Sequence, residues 1–116
     1  RRITEICDGM AKVHNAKIKL TYTEGYPVTV NHEAQTHFAA KVAREISGDA
    51  AVNDNASPVL GGEDFAYMLE ARPGAFVFIG NGNTAGVHHP AYDFNDDAIP
   101  VGVSYWARLV ETAMPA

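Results

Sequence analysis

Two adjacent histidines, His88 and His89, are the side chains in this sequence best suited to hold a metal ion. A neutral imidazole is the commonest protein ligand for metals such as zinc. Successive side chains of an extended segment point to opposite faces, and Pro90 stiffens this segment, so we expect only one of the two rings to face a cleft. A turn that merely contains two histidines would explain the same residues, and the pattern leaves both interpretations open. We expect a surface location for the remaining histidines, which are His14, His32 and His37.

The stretch Gly61-Gly62-Glu63-Asp64 is a second candidate, because it stands immediately before a predicted helix. Glycine backbone lets a substrate approach closely, and the first N–H groups of a helix can bind a carboxylate. The same residues also describe a tight turn followed by acidic side chains that the helix dipole favours. The sequence keeps a substrate-binding role and a purely local role open for this stretch.

An acidic run follows the histidines and consists of Asp93, Asn95, Asp96 and Asp97. It resembles a calcium-binding loop in composition only, because it lacks the ordered acidic pattern and the distal glutamate that complete such a site. Side-chain oxygens and negative charge both stabilise the start of a helix. We therefore predict that Asn95, Asp96 and Asp97, and Asp97 above all, cap the last helix of the chain and place negative charge at its start.

A loose dinucleotide-binding pattern is formed by Gly80, Gly82 and Ala85, which come after a predicted strand. That pattern binds a pyrophosphate only where a helix begins at once and presents its N-terminal amides. Here His89 is followed by Pro90, which disfavours helical backbone at the preceding residue. The sequence therefore argues against nucleotide binding.

The elements that must position these residues are predicted from apolar periodicity. Helical spacing predicts four helices, at 2–14, at 33–47, over the short stretch 63–71, and from Pro100 to Met114. Alternation or short apolar runs predict three strands, at 17–23, 50–52 and 75–79. The run at 75–79 is apolar without alternation, which suits a strand covered on both faces. Helices alternating with strands around a boundary near residues 25–31 predict an α/β fold in two unequal pieces.

Composition restricts the kinds of protein to which this chain can belong. It has 116 residues and a formal net charge of −5, which argues against nucleic acid, whose binders carry basic patches. No apolar run approaches the ~18 residues that cross a bilayer, so we expect no membrane span. The single Cys7 excludes an internal disulfide framework. The chain opens in a helical pattern without Met, so we expect it to continue a longer protein, and we expect a cytoplasmic location.

Three stretches carry a resemblance to a known family, and they are LGGEDFAYML, AFVFIGNG and VHHPAYDFNDDAIPVGVSYWARLV. In order and spacing they resemble, over residues 59–110, the C-terminal part of the N-acyl-amino-acid amidohydrolases. This is the hippurate hydrolase-like branch of the aminoacylase and glutamate carboxypeptidase type of two-metal peptidases. The pattern there runs G-S-E-D-F, a strand, L-H-x-P-x-Y-D-F-N-D and a closing helix. Residues 1–31 are similar to the last helix and strand of the lid domain inserted in that family.

The resemblance implies a fold and a set of site residues. Residues 1–28 would end an inserted α+β lid domain, and residues 29–116 would form the C-terminal part of a mixed α/β catalytic domain with helices packed on its sheet. His88 matches the histidine of L-H-x-P, the last metal ligand, with Val87 in place of leucine, while His89 takes the variable position and would bind no metal. The residues implied to shape the substrate side are Gly61, Gly62 (serine in the family pattern), Glu63, Asp64, His89, Asp93 and Asn95.

The activity implied by the resemblance is hydrolysis of the amide bond in N-acyl amino acids such as hippurate, by water activated on a divalent metal. The family uses two ions per subunit, for which we expect zinc first and manganese, cobalt or nickel as alternatives, and it forms homodimers through the lid. The other ligands and the general-base glutamate belong to upstream motifs that this sequence lacks, and Cys7 does not match the ligand cysteine. We therefore expect no catalytic residue in this chain and no activity from the chain alone. The alternative is a non-catalytic fragment that associates with itself.

Overall fold

The computed structural model describes residues 1–115 and contains four α-helices in that range. They are α1 (Arg2–Val13), α2 (Glu33–Ser47), α3 (Phe65–Ala71) and α4 (Ala98–Ala113), and a short 3-10 helix (Asp49–Ala51) follows α2. The predicted helix at 33–47 is confirmed at both ends, and the other three are confirmed with small shifts at their ends. Within the described range, none of these helices combines the length and the apolar character needed to cross a bilayer.

Local chemistry explains where α2 ends and where α4 begins. Gly48 follows α2 with a φ of 81°, a left-handed conformation that glycine reaches without steric cost. Its N–H donates to the carbonyl of Arg44 at 2.8 Å, which satisfies one of the last carbonyls of the helix. Pro100 lies in the first turn of α4, where its missing N–H breaks no helical hydrogen bond. Both boundaries therefore follow from backbone properties that are visible in the sequence.

Most of the small core of the described chain lies where α2 packs against α4, and Ala66 and Leu69 of α3 are buried as well. Val42 is fully buried, and the small side chains of Ala39 and Ala40 let another element approach α2 closely. Tyr105 is the buried residue of α4, and this burial raises the pKa of its hydroxyl. At the edge of the contact Arg108 Nε donates to Glu45 Oε2 at 2.7 Å, so an exposed ion pair also joins the two helices.

The three predicted strands, at 17–23, 50–52 and 75–79, are not formed. Residues 1–115 contain no β-strand, and residues 49–51 adopt a 3-10 helix instead. A strand is stable only when a neighbouring strand pairs with its N–H and C=O groups, and no backbone hydrogen bond joins any two of these segments. The α/β prediction is therefore confirmed for the helices and wrong for a sheet within these residues, because a side-chain pattern does not supply a pairing partner.

The segment that was expected to be the buried strand at 75–79 is held from one side by two side chains that precede α2. Asn31 Nδ2 donates to the carbonyl of Phe76 at 2.8 Å, and the N–H of Phe76 donates back to Asn31 Oδ1 at 2.7 Å. The N–H of His32 donates to the carbonyl of Gly74 at 3.0 Å, and the N–H of Gly74 donates to His32 Nδ1 at 3.2 Å. His32 is half-buried by these contacts, whereas His14 and His37 are exposed, as expected for surface histidines.

Helix α1 stands apart from the other helices. Within residues 1–115 it contacts none of them, and it buries none of its own residues. Its apolar side is open to solvent, since Ile3, Ile6 and Met10 are 49%, 55% and 48% exposed. An exposed apolar stripe of this kind often marks a contact with another chain or segment. The division of the chain at residue 28 stays a prediction, and the isolation of α1 is compatible with it.

We predict that the 116-residue chain associates with itself through the apolar side of α1. Sedimentation velocity at high protein concentration should show a dimer or a larger species. The double substitution Ile3→Glu and Ile6→Glu should shift it to monomer, because two charges then interrupt the apolar stripe. Lys12→Glu changes the charge at an exposed polar position of the same helix and should leave association unchanged. A single monomer boundary for the unaltered chain, or dissociation by Lys12→Glu, would contradict the prediction.

Candidate functional site

The histidine pair lies on the exposed loop that precedes α4, in a turn rather than in the expected extended segment. The N–H of His89 donates to the carbonyl of Gly86 at 3.1 Å, and His88 has a φ of 69°. This left-handed conformation is uncommon for a residue with a side chain, although histidine adopts it more readily than most, and strained residues cluster at functional sites. The expected alternation of adjacent rings along an extended segment is therefore wrong, because the chain turns at His88.

The two imidazoles differ in what they bind. Nδ1 of His89 accepts a hydrogen bond from the N–H of Ala91 at 3.0 Å, which leaves only Nε2 of that ring free. The ring of His88 is exposed and makes no hydrogen bond to another residue of the range 1–115. Both of its nitrogens can therefore reach a ligand without breaking an existing contact. The choice of His88 over His89 as the metal ligand stays a prediction, and this arrangement favours it.

Asp93 and Asn95 shape the same loop through hydrogen bonds near the start of α4. The carbonyl of Asp93 accepts from Asn81 Nδ2 at 2.7 Å, and Asn95 Oδ1 accepts from the N–H of Asp97 at 3.0 Å. Asp97 is the N-cap residue of α4, but its carboxylate makes no capping hydrogen bond. The prediction that Asp97 caps this helix with its side chain is wrong. A side-chain cap requires non-helical backbone, whereas Asp97 has the helical angles φ −63° and ψ −19°.

The acidic pair before α3 serves the start of that helix. Glu63 Oε1 accepts a hydrogen bond from the N–H of Phe65 at 3.0 Å, so the carboxylate already occupies one of the first N–H groups of α3. Asp64 is the N-cap residue and makes no side-chain capping bond. The sequence left open a substrate-binding role and a purely local role at the helix start, and this contact favours the local role for Glu63. A substrate role for the stretch 61–64 stays a prediction.

Gly62 is approached closely by an aromatic ring from the segment that follows α1. A Cβ atom placed on Gly62 would lie 2.9 Å from Cδ2 of Tyr26, which is closer than two non-bonded carbons normally come. The same tyrosine ring lies edge-on to Tyr67 of α3, with the ring centroids 6.1 Å apart. Glycine at position 62 therefore leaves room for a contact that ties the segment near residue 26 to the stretch before α3.

The described residues do not complete a metal centre. Within residues 1–115, no three His, Cys, Asp or Glu side chains come close enough to hold one ion. A catalytic zinc ordinarily takes three protein ligands and a water. Metal chemistry would therefore need further ligands from outside this part of the chain, and the role of His88 as one ligand stays a prediction.

The sequence patterns singled out no role for three residues that hold the site together, namely Tyr26, Asn31 and Asn81. Tyr26 stands between Gly25 and Pro27, and Asn81 stands between Gly80 and Gly82. These surroundings are signals of turns, and turn residues often hydrogen-bond to backbone groups. The signal does not say which distant backbone group a side chain reaches, so these contacts could be found only in the folded chain.

Comparisons with known proteins place the chain among hydrolases. Residues 3–112 match Peptidase family M20/M25/M40. Hippurate hydrolase of Campylobacter jejuni is 33% identical over 108 residues, which cover 93% of this chain and 28% of that protein. IAA-amino acid hydrolase ILR1-like 2 of Arabidopsis thaliana is 35% identical over 117 residues, which cover 94% and 26% of the two chains. N-acetylcysteine deacetylase of Bacillus subtilis is 32% identical over 104 residues, which cover 90% and 27%.

The chain spans between 26% and 28% of the length of these three relatives. No solved structure gives a significant match. The family match includes both the glycine-rich stretch at 61–64 and the loop that carries His88, so the resemblance read from the motifs is confirmed. The chain therefore belongs to peptidase family M20/M25/M40.

Proposed function

We propose that this chain is the C-terminal part of a metal-dependent amidohydrolase that cleaves the amide bond of N-acyl amino acids. The family match over residues 3–112 carries the proposal. The names of the three relatives refer to hippurate, to amino acids conjugated with IAA and to N-acetylcysteine, so each concerns an acylated amino acid. A shared hydrolysis of acyl–nitrogen bonds is the simplest activity that such a set has in common.

In the proposed enzyme His88 supplies one metal ligand. Its ring is exposed and unbonded within the described residues, and its backbone has a left-handed φ of 69°, which is uncommon for a residue with a side chain. The ions, zinc first and manganese, cobalt or nickel as alternatives, would polarise the substrate carbonyl and lower the pKa of a bound water. The remaining ligands and the glutamate that moves the proton would come from residues outside this chain. His88 is thus proposed as a ligand, and no residue of this chain as the general base.

The other site residues would shape the surroundings of the substrate. Glu63 holds the first turn of α3 through its bond to Phe65, and Gly62 keeps that stretch in contact with Tyr26. His89 stabilises the turn after His88 and keeps Nε2 available to a polar group of a substrate. Gly61, Asp64, Asp93 and Asn95 complete the set that we assign to the substrate side.

Residues 1–28 would belong to a lid domain through which the enzyme forms a homodimer. The exposed apolar side of α1 supports this assignment, because a stripe of isoleucine and methionine is rarely left in water. The same observation also favours the second candidate function, a non-catalytic fragment that associates with itself. The two differ in outcome, since only the first requires metal-dependent hydrolysis when the chain is part of the longer protein.

We predict that His88, and not His89, binds the metal in the longer enzyme. His88→Ala should lower bound metal, measured by elemental analysis, and abolish hydrolysis of N-acyl amino acids. Loss of a residue that only orients a ligand already weakens metal binding by roughly 10–100-fold, so loss of a ligand should exceed that range. His89→Ala is the matched control and should retain the metal. Full metal content in His88→Ala, with loss in His89→Ala, would reverse the assignment.

We also predict that the isolated 116-residue chain hydrolyses no amide and holds no stoichiometric catalytic metal. Structural zinc reaches roughly 10–16 kcal/mol of apparent binding free energy only when several ligands act together, and one imidazole competes poorly with water. The measurements are calorimetric titration with zinc, manganese and cobalt, and assays with hippurate and N-acetyl amino acids. Turnover above the metal-only blank that disappears in His88→Ala would show that the chain contains a complete site.

A further inference from the structure

We propose that Asn81 is a positioning residue that holds the loop bearing His88 in its metal-binding arrangement. The loop in question, here called the histidine loop, comprises residues 81–95. The inference rests on the proposed function, because it assumes that His88 binds a metal. It goes beyond that function by assigning the geometry of the loop to an amide side chain that has no reactive chemistry of its own.

The side chain of Asn81 makes the two shortest hydrogen bonds that join the ends of the histidine loop. Asn81 Nδ2 donates to the carbonyl of Asp93 at 2.7 Å, and the N–H of Asn95 donates to Asn81 Oδ1 at 2.8 Å. These two bonds reach 12 and 14 residues along the chain, and both distances are those of good hydrogen bonds. Thr84 Oγ1 donates to the same Asp93 carbonyl, but at the longer distance of 3.4 Å. Asn81 is therefore the main link between the two ends of the loop.

The pair of bonds explains why the residue is an asparagine. In a parallel β-ladder, each bonded residue faces one residue of the neighbouring strand. Its N–H donates to the carbonyl of the residue before that one, and its carbonyl accepts from the N–H of the residue after it. The side-chain amide of Asn81 makes the same two bonds, to the carbonyl of Asp93 and the N–H of Asn95. It can do so because an amide side chain carries both a donor and an acceptor in one plane. Aspartate keeps only the acceptor, and alanine keeps neither.

The C-terminal end of the histidine loop, to which Asn81 bonds, is itself attached to helix α4. Asn95 Oδ1 accepts from the N–H of Asp97, and the carbonyl of Asn95 accepts from the N–H of Ala98 at 3.0 Å, where α4 begins. Helix α4 packs on α2, so the two bonds of Asn81 tie the start of the histidine loop to an end that is attached to the core. Next to His88, the N–H of His89 donates to the carbonyl of Gly86 and the N–H of Tyr92 donates to the carbonyl of His89, so these backbone bonds stay within the loop.

Loss of the two hydrogen bonds of Asn81 should weaken metal binding without changing the metal ligands. Once the two ends are free, the loop samples more conformations, and binding must then restore the order that Asn81 now supplies. Residues that orient a metal ligand through hydrogen bonds typically change metal affinity by about 10–100-fold when they are removed. We expect Asn81→Ala to fall in that range. Asn81→Asp should bind metal at least as weakly, because it places a carboxylate against the Asp93 carbonyl.

The test uses the longer enzyme loaded with cobalt, whose absorption spectrum reports the ligands around the ion. Asn81→Ala should lower the affinity for cobalt about 10–100-fold, while the spectrum at saturating cobalt stays that of the unaltered enzyme. Activity should return at saturating metal with an unchanged KM. Asn83→Ala is the matched control, since Asn83 is an exposed asparagine of the same loop, and it should bind cobalt like the unaltered enzyme.

The outcomes separate this inference from the proposed function. Unaltered cobalt affinity in the Asn81 variants, together with metal loss in His88→Ala, would overturn the positioning role alone. An altered spectrum at saturation would also overturn it, because Asn81 would then affect the ligand set itself. Full metal retention in His88→Ala would overturn the proposed function, and this inference with it. If Asn81→Ala fails to fold, as judged by circular dichroism, Asn81→Asp has nearly the same size and supplies the measurement.

Discussion

The packing of α2 against α4 is the interaction on which the placement of the histidine loop and of the segment at 74–76 depends. Val42 is fully buried on α2, and Tyr105 is the buried residue of α4. The residues just before α2 hold the segment at 74–76, and the residues just before α4 anchor the histidine loop. Because the segment at 74–76 and the histidine loop are attached at the starts of these two helices, the relative placement of the helices also sets the placement of the segment and the loop.

The second constraint is that backbone N–H and C=O groups without a strand partner still need hydrogen bonds. Two asparagine side chains supply such bonds. Asn31 bonds to both the N–H and the carbonyl of Phe76, and Asn81 bonds to the carbonyl of Asp93 and the N–H of Asn95. An amide side chain can take the place of a neighbouring peptide group because it offers the same donor and acceptor. Short segments are thus held in place although residues 1–115 contain no sheet.

Family membership and geometry contribute different parts of the functional proposal. The family match and the names of the relatives support the proposed hydrolysis of acylated amino acids, which no arrangement of the described side chains would indicate by itself. The geometry contributes the difference between His88, whose ring is free, and His89, whose Nδ1 is engaged by Ala91. It also shows Gly62 against Tyr26, a contact that joins the proposed lid segment to the stretch before α3.

The sequence by itself determined the helices, because helical periodicity and end signals such as Gly48 and Pro100 act within a few residues. It also determined the family, because the motif around His88 keeps its order and spacing along the chain. Only the tertiary structure decided that the apolar run at 75–79 pairs with Asn31 instead of a strand, and that Asn81 closes the histidine loop. These outcomes depend on which donors and acceptors meet across long stretches of chain, and local residue patterns carry no information about that pairing.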